Sequence, residues 1–140
     1  MLAFNLVVNG KQVDKERVEA GFRVPPDEYV AVMTEFVAAI RSIGARPLLI
    51  TAPRREVEPN QYKYPAEAAK IDFNLVHDQY VELTRLVAKQ TNADLLDLHA
   101  LAAAPKYDDC FSDDGIHFRQ HGLEMIAKAI AHKIRDMLSQ

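Results

Sequence analysis

Apolar residues follow two rhythms along this chain. Short, nearly unbroken runs stand at Met1 to Val8 (MLAFNLVV), Arg46 to Ala52 (RPLLITA) and Ala93 to Leu98 (ADLLDL). Runs of this length closed by turn residues such as Asn9-Gly10 and Pro53 read as strands, and the unalternating RPLLITA predicts burial on both faces, the habit of a parallel sheet. Between the runs the apolar spacing changes to three and four. Val30, Met33, Val37 and Ile40 line one face of a helix opened by Pro25-Pro26-Asp27 and stopped at Gly44. Val76, Tyr80, Leu83 and Val87 line a second, from Asp72 to Thr91, and Leu123, Ile126, Ile130, Ile134 and Met137 a third, from Gly122 to Leu138.

The remaining segments read as connections. Lys11 to Val24 is polar and without sustained period, a loop with room for one helical turn. Pro53 to Lys70 is longer than compact domains ordinarily leave unstructured, and it carries Arg54, Arg55, Tyr62, Lys63 and Tyr64. His99 to Ala104 fits a single helical turn, and Pro105 to Gly115 an acidic loop. Strands alternating with helices predict an α/β fold: right-handed crossovers and a parallel sheet of about three strands flanked by helices. Chemistry in such folds gathers beyond the carboxyl ends of the strands, where the residues after Val8, the loop after Ala52 and His117 would meet.

Composition narrows the function classes. The chain has 140 residues, enough for one domain, with 49% hydrophobic and 26% charged residues, the balance of an ordinary globule. A net charge of −3 gives no electrostatic footprint for nucleic acid or an anionic membrane and leaves small neutral or weakly charged substrates open. Cys110 is the single cysteine, so no intrachain disulfide forms, and MLAFNLVV lacks the basic flank of a leader and the length of a membrane span. Together these lead us to expect a cytoplasmic protein.

Chemistry concentrates between Asp113 and Ala131, DDGIHFRQHGLEMIAKAIA. Asp114 can curl back through Gly115 and accept a hydrogen bond from one imidazole nitrogen of His117, which leaves the other nitrogen as a base. A metal at His117 and His121, four apart among aspartates, is the competing use of the same residues. Gly115 and Gly122 favour a turn at a helix entrance instead, so neither a metal nor another cofactor is expected here. His77, His99 and His132 fall in or beside helical patterns and read as surface or half-buried residues. Arg54, Arg55 and Lys63 fall where a substrate carboxylate or phosphate would be bound, but solvated loop charge is the commoner explanation for them, as it is for Arg119.

Asp114, His117 and Gly122, placed in a loop before the last helix, resemble the C-terminal block of the SGNH/GDSL hydrolases, which carry Asp-x-x-His there with a Gly shortly after. The resemblance implies a flavodoxin-like, three-layer fold and hydrolysis of ester bonds, with small acyl esters of carbohydrate or lipid as substrates, His117 as base and Asp114 as its orienting acid. It further implies that Ala3-Phe4-Asn5-Leu6 stands for the family's Gly-x-Asn-Asp, with Asn5 donating to the oxyanion. Asn9 is a rival for that role, and a plain turn hydrogen bond explains Asn5 as well.

The family's Gly-Asp-Ser block has no counterpart. Ser42 lies late in a helix, Ser139 at the chain's end, and Ser112 five residues before His117, so none is presented as a nucleophile. Cys110, among four aspartates and without a cation beside it in the sequence to favour a thiolate, reads as a small packing residue. Relative to the family, the chain is then one domain, residues 1–140, that lacks the N-terminal portion and begins near the third strand. Three uses follow: a hydrolase completed by residues from elsewhere, a non-catalytic oligomeric or ligand-binding domain derived from one, or a metal-assisted hydrolase. A sheet shortened in this way presents an open edge, for which self-association or a partner chain is the expected cover.

Overall fold

The computed structural model describes residues 25–55 and 73–139. The strand expected at Met1 to Val8, with Asn5 and Asn9, and the loop after Arg55, with Tyr62, Lys63 and Tyr64, lie outside them. Helix α1, Pro26–Ser42, starts on prolines whose missing amides the first turn does not need. Gly44, at φ 76°, turns the chain toward strand β1, Leu48–Ile50. Helix α2, Phe73–Thr91, ends at Asn92 in the left-handed region, and strand β2, Asp94–Leu96, follows. A short helix α3, Leu98–Ala102, a 3₁₀ helix, Pro105–Cys110, and helix α4, Gln120–Leu138, complete the order. Half of the expected acidic loop is thus the 3₁₀ helix, and the last helix starts two residues earlier than its apolar pattern suggested.

β1 and β2 pair in parallel with Leu48 opposite Asp94, Leu49 opposite Leu95 and Ile50 opposite Leu96. The parallel α/β reading therefore holds, with two strands among the described residues where about three were expected. Leu49 and Leu95 face the layer made by α1 and α2, where Val37, Val87 and Ala88 are buried against Val30, Met33 and Ala93. Tyr29 and Tyr80 meet edge to face at 5.1 Å beside them, and the Tyr29 hydroxyl lies 3.0 Å from that of Thr84. On the opposite face, Asp94 accepts from Arg46 at 2.8 Å and pairs with Lys133 of α4 at 3.0 Å, which sets α4 on the other side of the sheet.

Two expectations about burial change. Only Leu49 of β1 is buried, while Ile50 is exposed, so within the described residues the strand buries one face. In α4, Met137 and Gly122 are buried but Leu123 and Ile134 are exposed. The helix is turned by its start, where Gly122 is pressed against Cys110. A Cβ at Gly122 would stand 2.3 Å from the Cys110 carbonyl oxygen, so only glycine admits this approach. Cys110 packs with Ala102 and Phe111 in a second small core joined by Tyr107, Phe118 and Met125. No helix among the described residues is long and apolar enough to cross a membrane.

Candidate active site

The segment between the 3₁₀ helix and α4 is a turn clamped at its base. Phe111 and Phe118 form an antiparallel bridge with their rings 4.9 Å apart, and the Arg119 amide donates to the Cys110 carbonyl at 2.9 Å. Inside this clamp the Ser112 amide donates to the His117 carbonyl at 2.8 Å and the Gly115 amide to the Ser112 carbonyl at 3.0 Å. Gly115, at φ 70°, supplies the reversal that a side chain would resist.

Asp114 organises the space within. Its Oδ1 accepts from the backbone amides of Ile116 and His117 at 3.0 and 2.9 Å and from the Ser112 hydroxyl at 2.6 Å. Its Oδ2 meets Nδ1 of His117 at 2.5 Å. Partial burial pushes the Asp114 carboxyl upward, but the donors from Ser112, the His117 ring and the two amides outweigh it and hold the acid well below the usual carboxylate range. The anion therefore persists at neutral pH and orients the ring. With Nδ1–H donating to it, Nε2 is left as the proton acceptor, and the imidazole is largely exposed.

The chain leaving β1 is tied to this turn. The Arg55 amide donates to the Gly115 carbonyl at 2.8 Å, and its guanidinium reaches the carbonyls of Ser112 and Asp113 at 3.3 and 3.4 Å. Arg55 thus sits against the turn's backbone, and the turn stands at the carboxyl end of the sheet. Arg54 points elsewhere: its guanidinium holds both oxygens of Asp78, at 2.8 to 3.2 Å. Arg119 pairs with Asp113 at 3.1 Å on the surface.

Ser112 bonds to the acid of the pair, while Ser42 and Ser139 donate to carbonyls of their own helices, Ala39 and Arg135. Cys110 is buried in the second core, as its reading as a packing residue required.

The sequence matches no protein-family model and no curated protein. Among solved structures it is similar to the crystal structure of the lipase/acylhydrolase from Enterococcus faecalis, with a TM-score of 0.62 at 20% identity. The chain shares the fold of a lipase/acylhydrolase. The likeness covers 82% of this chain and 54% of that one, so the chain spans about half the length of its structural neighbour.

A second group of polar residues gathers at the carboxyl end of the same sheet. Thr51, fully buried after β1, donates to Asp97 Oδ1 at 2.8 Å and accepts from the His99 amide at 3.0 Å. Asp97 caps α3 through the Ala100 amide and is gripped by Arg85 through both its oxygens at 2.9 and 3.0 Å. His77 is buried, against the expectation of a surface or half-buried residue, and lies beside Asp78 and His99. Burial first, then the charges of Arg54 and His99, push the His77 imidazole down to about 4. No spacing along the chain announces this cluster, because its residues come from the ends of β1 and β2 and from α2 and α3; the parallel register that aligns the two strand ends brings them together.

Proposed function

We propose that the chain is an ester-hydrolase domain of the SGNH/GDSL type in which His117 is the general base and Asp114 its orienting acid. The single observation that carries this reading is the 2.5 Å contact between His117 Nδ1 and Asp114 Oδ2, in a turn held at the carboxyl end of a parallel sheet. In the proposed reaction Nε2 takes the proton from an attacking hydroxyl and returns it to the leaving alcohol, while Asp114 stabilises the imidazolium formed between the two steps. Small acyl esters are the proposed substrates. The nucleophile is supplied from sequence beyond these 140 residues or from another chain, since Ser42, Ser112 and Ser139 are committed elsewhere. Asn5 is the proposed oxyanion donor, and a cytoplasmic setting goes with the absence of a disulfide.

Release of p-nitrophenol from p-nitrophenyl acetate tests the reading. Together with the sequence or chain that supplies the nucleophile, the protein should exceed its His117→Ala variant by at least about 10²-fold, the scale of a positioned general base. Equal rates would remove the catalytic role. That outcome would favour a second reading, a non-catalytic domain derived from the hydrolase fold, for which the placement of Ser112 on the acid instead of the base is the specific observation.

A further inference from the structure

We propose that His77, Asp78 and His99 form a binding site for a divalent transition-metal ion of the zinc class, outside the Asp114–His117 turn. Oδ1 of Asp78 lies 3.7 Å from Nδ1 of His77 and 3.7 Å from Nε2 of His99, and the three donors all fall within 4.8 Å of one another. The imidazole rings stand 5.5 Å apart and are tilted by 30°. These separations are too long for direct hydrogen bonds to the carboxylate, but suited to an ion between the groups. Bonds of about 2.0–2.2 Å to one tetrahedral metal put its ligand atoms roughly 3.3–3.6 Å apart, so a modest inward turn of the rings completes the site.

The state of His99 is an independent sign. Its Nδ1 is buried with no hydrogen-bond partner among the described residues, and the nearest carboxylate to its Nε2 is the 3.7 Å contact with Asp78. Its backbone is nevertheless placed firmly, because the amide is tied to Thr51, which joins the ends of both strands. An imidazole on an anchored backbone, with neither nitrogen hydrogen-bonded among the described residues, is available to ligate.

Arg54 fits the same arrangement. A carboxylate has about four lone-pair directions, and Arg54 uses three of them, two on Oδ1 and one on Oδ2, which leaves one for an ion between the imidazoles. Metal-ligating carboxylates are characteristically held by such outer hydrogen bonds. The guanidinium charge also repels a second cation, so binding is expected to be weaker than at a structural zinc site. Two imidazole nitrogens with one carboxylate oxygen select zinc, cobalt, nickel or copper over magnesium and calcium, and three protein ligands leave a fourth position for water.

Cobalt(II) titrated into the 140-residue chain near neutral pH, followed by its visible d–d absorption, tests the assignment. One ion per chain should bind and be displaced by zinc. Binding should weaken at least about tenfold in His99→Ala and His99→Gln, checked for folding by circular dichroism, and stay unchanged in His117→Ala. In the unsubstituted chain, zinc should shift the imidazole resonances of His77 and His99. The absence of uptake at millimolar cobalt, uptake indifferent to either His99 substitution, uptake lost with His117, or zinc leaving both imidazoles unmoved would overturn the proposal.

Discussion

Asp114 satisfies two backbone amides, a hydroxyl and an imidazole with a single carboxylate, so the turn and the orientation of His117 depend on one ionised side chain. Its pH behaviour follows from the direction of its shift. An unfolded aspartate titrates at about 3.9, and the folded value lies below that. The stabilisation is therefore fully present above the unfolded value and is lost as the pH falls toward the folded one. Urea denaturation of the chain and of Asp114→Asn should show a stability gap that is constant at neutral pH and closes below about pH 4. A gap that widened on acidification would contradict the assignment. At this scale the sequence was informative because the interaction is local: Asp114 and His117 are three positions apart across a glycine. The part played by Ser112 was not legible, since nothing in the spacing tells whether a hydroxyl in that loop turns to the acid or to the base.

Among the elements, α3 is the most dependent on its surroundings. Five residues are too few to hold a helix alone, and Leu98–Ala102 is fixed by Asp97, which caps it, receives the Thr51 hydroxyl and pairs with Arg85. Asp97→Ala removes its bonds to all three partners and leaves Thr51 buried without its acceptor, so it should destabilise the chain by about 2–3 kcal/mol, read from the denaturation midpoint and slope. A change within about 0.5 kcal/mol, the ordinary result at a surface site, would mean that Asp97 is not a joint of the fold. The apolar faces of α1 and α2 were readable because each packs with helical period on one core, around Val37 and Val87. The face of α4 was misread at Leu123 and Ile134, because a steric contact between Gly122 and the Cys110 carbonyl fixes the helix's rotation and leaves no trace in its periodicity.

For the whole molecule, the two-stranded sheet has an outer edge on each strand that is unpaired among the described residues, and Phe36, Ile43, Leu123, Ile134 and Leu138 are exposed. Apolar exposure of this kind favours contact with a second copy of the chain, the proposed partner. Sedimentation velocity at micromolar concentration should show a dimer or larger species; a lone monomer boundary would count against it. The same view of the molecule explains why its two polar groups differ in legibility. The Asp114–His117 pair needs only a turn to form, whereas His77, Asp78 and His99 meet only after β1 and β2 align.

What the sequence determined by itself is whatever depends on neighbours a few positions away: the helices, the order of strand and helix that makes the sheet parallel, and the acid–imidazole turn before the last helix. The tertiary structure alone decided which side chains face one another across elements. It set Arg54 on Asp78, Arg55 on the backbone of the turn, His77 inside and Leu123 outside. The physical reason is that strand register, helix rotation and desolvation are settled by packing over the whole domain, and no local pattern of residues carries that information.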